Sequence, residues 1–65
     1  MSYSGNRPAT KDGVIRYLVE ELEVNPGVAF GLVGKHQDIL DSGARLGSFD
    51  YYVGDEIARA EGIIS

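Results

Sequence analysis

The stretch Asn25-Pro26-Gly27-Val28-Ala29-Phe30-Gly31-Leu32-Val33-Gly34 decides the fold class, because it is apolar, carries no carboxylate and can be read in two ways. As a helix it begins well. Asn25 is a preferred cap residue and Pro26 suits the first helical position. Val28, Leu32, His36 and Leu40 then form one row, with Ala29 and Val33 beside it and Ile39 widening the face. As a strand it is a short run from 28 to 33 bounded by glycines, and Gly27, Gly31 and Gly34 each lower helix preference by roughly 1 kcal/mol relative to alanine. The helix is the preferred reading, since its periodicity continues through Leu40, with Gly43 as the stop. In either form the run reads as core.

Upstream, Val14, Ile15, Leu18 and Leu22 recur at spacings of three and four and lay an apolar stripe on a helix of about three turns. Thr10 can cap it, and Asp12 places a negative charge in its first turn. Residues 1–9, with Gly5, Asn6 and Pro8, read as a flexible N-terminal arm, leaving 10–65 as one compact domain. Downstream, Ser48 or Asp50 can cap a last helix that ends at Gly62. The competing reading places a strand at 49–53, where Phe49, Tyr51 and Val53 alternate with polar neighbours. The predicted fold is therefore mainly α, a compact three-helix domain, with a small α+β domain as the alternative if 28–33 or 49–53 is a strand.

Composition narrows the function more than any motif does. The 65-residue chain has ten acidic residues against six Lys and Arg, a formal net charge of −4, with 43% hydrophobic residues and no cysteine. The bases are scattered at Arg7, Lys11, Arg16, Lys35, Arg45 and Arg59. A fold that repels phosphate and lacks a basic cluster is a poor nucleic-acid binder. Disulfides, thiolate metal sites and cysteine nucleophiles are excluded together. No apolar run reaches the roughly 20 residues needed to span a bilayer, and no signal-peptide pattern opens the chain, so a cytoplasmic protein is expected.

Three groupings resemble chemistry and fail on spacing. Gly34-Lys35 suggests a phosphate loop, yet the first required glycine falls on Ala29 and His36 stands where Ser or Thr should hold magnesium. His36 with Asp38 and Asp41 is too few ligands for a metal. Adjacent pairs such as Glu20 with Glu21 point about 100° apart on a helix and form no dyad. No catalytic residue, metal or cofactor is expected.

What remains is acidic and aromatic. Glu20, Glu21 and Glu23 crowd the end of the first helix, and Asp50, Asp55 and Glu56 surround Tyr51 and Tyr52, a residue type enriched at interfaces. These eight are the candidate partner-binding residues, suited to a basic protein surface. In size and charge the chain resembles the small acidic phage-encoded inhibitors of the anti-CRISPR type. That resemblance implies a DNA-mimicking inhibitor of a nucleic-acid-binding effector complex, with no residue roles to carry over. A small helix-turn-helix regulator and an oligomerising assembly component, joined through Gly27–Gly34 or Ile63 and Ile64, are the alternatives. A monomer or weak homodimer is expected.

Overall fold

A computed structural model describes residues 5–65, which form four helices and, among these residues, no strand: α1 (Lys11–Glu20), α2 (Pro26–Lys35), α3 (Gln37–Arg45) and α4 (Asp50–Ala60). The core is built from Val14 and Leu18 of α1, Ala29 and Val33 of α2, Leu40 of α3, and Val53, Ile57 and Ala58 of α4. Helix α1 lies against both α2 and α4, and α3 closes on α4.

Two of the helix starts follow the sequence closely. Thr10 Oγ1 accepts from Gly13 N at 3.0 Å, and Asn25 Oδ1 accepts from Gly27 N at 2.9 Å with Pro26 opening α2. Neither candidate strand forms, so 28–33 lies in α2 and 49–53 runs into α4.

The expected three helices become four because the chain turns at His36, whose backbone leaves helical geometry at φ −106°, ψ 38°. The reason is one of length. An unbroken helix from Pro26 to Arg45 would be about 30 Å long, whereas the molecule measures 26 × 26 × 21 Å. Its far end would overshoot the core. The turn brings Leu40 back to the core shared with Val33.

Gly43 is not the stop of this segment. It is buried within α3, where a methyl group would overlap Val53 of α4. The stop falls at Gly47, in the left-handed region at φ 74°, with Ser48 N donating to Gly43 O and Gly47 N to Ala44 O. Helix α4 ends in the same way at Gly62, where Ile63 N donates to Ala58 O. These three bonds satisfy carbonyls that a helix end otherwise leaves unpaired. The central run is only partly core: Ala29 and Val33 are buried, while Val28, Phe30, Gly31 and Gly34 face outward.

The largest departure is Asp50. Expected as an exposed cap, it is fully buried at the first position of α4 and carries no cap bond there. Its Oδ2 accepts from Asn6 N at 2.9 Å and its Oδ1 from Thr10 N at 3.0 Å. Its own amide donates to Asn6 O, and Ala9 N donates to Ser48 O. Residues 1–4 of the arm expected over 1–9 lie outside the described residues, and the rest is docked by these bonds, with Ala9 buried. A buried carboxylate is tolerable here because backbone donors satisfy it and the N-termini of α1 and α4 both meet it.

Gly13 makes room for that carboxylate, since a methyl group at 13 would overlap Asp50. Asp50→Ala is expected to lower stability by about 2–4 kcal/mol, because it removes the charged acceptor of two long-range backbone hydrogen bonds. Gly13→Ala alone should destabilise by about 1–3 kcal/mol through overpacking. In the Asp50→Ala background the same change should instead stabilise by about 0.5–1 kcal/mol, the ordinary helix preference of alanine. Urea unfolding of the four proteins checks this, and a Gly13→Ala effect of the same sign in both backgrounds would contradict it.

Candidate partner-binding surface

Helices α1 and α4, far apart in the sequence, pack side by side. The bond that joins them is Tyr17 Oη donating to Asp55 Oδ1 across the helix pair at 2.5 Å. Tyr17 lies flat enough on α4 for this because residue 54 is glycine, where a methyl group would overlap the Tyr17 ring. Burial, then the hydrogen bond and charge of Asp55, and then the charge of Glu21, push the Tyr17 phenol up to about 12. Tyr17 is thus a protonated donor at neutral pH rather than a nucleophile.

Around that bond runs an aromatic ledge. Tyr51 stands 6.5 Å from Tyr17, centroid to centroid, and stacks on Phe49 at 5.4 Å with an interplanar angle of 18°. The guanidinium of Arg7 lies over Phe49 at 5.3 Å. Tyr51 is 42% exposed and Tyr52 56%. Large rings left this open at a surface are enriched at protein interfaces.

The eight sequence candidates divide accordingly. Tyr51 and Asp55 belong to the ledge, and Glu21 acts on the same phenol from the C-cap of α1. Glu20, Tyr52 and Glu56 are exposed on the same two helices. Glu20 pairs with Arg16 at 3.3 Å, which at this exposure is worth little. Glu23 is exposed in the α1–α2 connection. Asp50 leaves the set, because a fully buried side chain cannot touch a partner. Tyr17, Phe49 and Arg7 join it; their signal in the sequence is weak, since only folding brings residues 7, 17 and 49 to one place.

Glu23 has a second peculiarity. It is the one non-glycine residue with positive φ among those described, at 56°, just where Val24 N donates to Leu18 O to end α1. Glycine normally fills such a site.

Chemistry is otherwise sparse. His36 does not meet Asp38 and Asp41; its Nε2 lies 2.7 Å from Glu61 Oε2, which also takes Lys35 Nζ at 2.8 Å. Hydrogen bonds from Lys35 and His36 hold the Glu61 carboxyl below the usual range. This cluster fastens the α2–α3 turn to the end of α4. Among the described residues no three His, Asp or Glu converge as metal ligands, and no helix is long and apolar enough to cross a membrane.

No protein-family model, curated protein or solved structure matches this chain. The surface must therefore be interpreted from its own residues.

Two outcomes check this geometry. A pH titration of phenolate absorbance should show a step near pH 12 that is absent from Tyr17→Phe. Because the folded value is raised, the stability that the Tyr17–Asp55 contact provides should be complete below pH 10 and fade as the pH rises through about 12. A Tyr17 step at pH 10 would contradict the contact. Glu23→Gly should raise stability by about 0.5–1 kcal/mol in urea unfolding, by relieving the left-handed backbone; a loss would show that the position is not strained.

Proposed function

We propose that the protein is a small inhibitor or adaptor that docks its α1–α4 face on a basic, nucleic-acid-binding surface of a partner protein, in the manner of the anti-CRISPR inhibitors it resembles in size and charge. One observation carries this reading: α1 packs on α4 so that Tyr17 bonds to Asp55 beside the exposed Tyr51 ring, with the charge of Glu21 acting on the same phenol.

The physical logic has two parts. A chain of net charge −4 is drawn to a cationic surface at long range, which raises the rate of encounter. Rings that are already stacked then supply contact area at little cost in side-chain entropy. A groove that holds nucleic acid offers both a cationic field and room for rings. Occupying it blocks the nucleic acid by competition. The helix-turn-helix alternative has less support, because α4, its reader, exposes Glu56 and holds Asp50 inside, with Arg59 as its one base.

The test uses the full chain as bait in lysate of its native cells, followed by mass spectrometry. Nucleic-acid-binding proteins should be captured and should elute with duplex DNA. Reversing Glu20, Glu21 and Glu23 to lysine should abolish that capture, and Asp55→Lys with Glu56→Lys should weaken it at least tenfold, a loss of about 1.4 kcal/mol. Capture unchanged by both sets would overturn the proposal.

A further inference from the structure

The most specific feature of this surface is the stack itself, and it already holds a cation. Arg7 places its guanidinium over the Phe49 ring, and Phe49 in turn stacks on Tyr51 with the planes only 18° apart. One helical turn beyond Tyr51 stands the part-buried carboxylate of Asp55, whose position is fixed by the Tyr17 hydroxyl. Residues four apart on a helix are surface neighbours, so a group lying against the Tyr51 ring reaches Asp55. A planar cation can pack on the ring and bond to the carboxylate at once.

The charges around the ledge are of both signs. Asp55 and Glu21 both raise the Tyr17 phenol, while Arg59 acts on it in the opposite sense. With a base close by, net field alone discriminates poorly at this spot. Ring stacking and a directed carboxylate discriminate better: a guanidinium can lie flat on a ring and bond a carboxylate through two N–H groups, whereas an ammonium meets either as a point charge, as Lys11 Nζ does over the Phe30 ring at 4.6 Å.

We propose that the Tyr51–Asp55 ledge is a receptor for an arginine side chain of the partner protein, with Arg7 on Phe49 as an intramolecular example of the ring half of that contact. This inference rests on the reading of the α1–α4 face as a docking surface and names the residue type that it selects. Tyr51 supplies the ring, Asp55 the carboxylate, and Tyr17 positions that carboxylate from α1.

The experiment compares two synthetic peptides of identical length and spacing, one bearing arginines and one lysines, titrated into the full chain at low ionic strength and followed by the ring and amide NMR signals of residues 49–55. The arginine peptide should bind about two- to fivefold more tightly, the range expected of one exposed cation–ring contact, and should move the Tyr51 ring signals. Tyr51→Phe should keep that preference and Tyr51→Leu should lose it, which separates a ring contact from simple apolar bulk. Circular dichroism confirms the fold of each variant, and Tyr51→Phe against the two peptides remains decisive if Tyr51→Leu unfolds. Equal binding of both peptides, or a preference that survives Tyr51→Leu, overturns the arginine site and leaves the acidic docking face standing. Absence of binding by either peptide removes both.

Discussion

The buried carboxylate of Asp50 is the constraint on which the rest of this fold depends. Its oxygens take the amides of Asn6 and Thr10, and its own amide returns to Asn6 O. One residue at the start of α4 thereby fixes the segment that precedes α1 and the start of α1 itself. The absence of a side chain at Gly13 allows the approach. A domain this small has little apolar surface to bury. A fully satisfied polar anchor between two helix N-termini supplies the uniqueness that a small core alone supplies poorly.

From that anchor the candidate surface follows by geometry. Once the start of α4 is tied to the start of α1, the two helices run side by side, and Gly54 lets Tyr17 settle across the interface to reach Asp55. Tyr51, one turn earlier on α4, and Phe49, which precedes the helix, are held beside them. The rigid fold thus positions rings and carboxylates together, the arrangement that reduces the ordering cost of binding. At the end of α4 the turn at His36 is fastened by the contacts of His36 and Lys35 with Glu61.

Much of the helical framework was legible residue by residue. The caps at Thr10 and Asn25, the apolar rows of α1 and the glycine stop at Gly62 are local signals, each set by the chemistry of a few neighbouring residues, and each stands where the sequence placed it. The misplaced features are all non-local. The break at His36 answers to the size of the molecule, and Gly43 serves contact with Val53 rather than a helix stop. Asp50 shows the same limit most sharply. An aspartate at a helix start reads as an exposed cap, and nothing within ten residues reveals that Asn6 and Thr10 would converge on it.

The sequence by itself determined that this is a cysteine-free acidic chain of helices, that its bases form no cluster, and that acids crowd around Tyr51 and Tyr52. These are properties of composition, period and capping, which need no partner segment. Tertiary structure decided which of those acids face solvent and which lies inside, and it alone assembled Arg7, Tyr17, Phe49, Tyr51 and Asp55 into one surface. The physical reason is reach. Caps and turns act over three or four residues, whereas the hydrogen bonds to Asp50 and Asp55 close spans of about forty, whose partners are selected only when the whole chain packs.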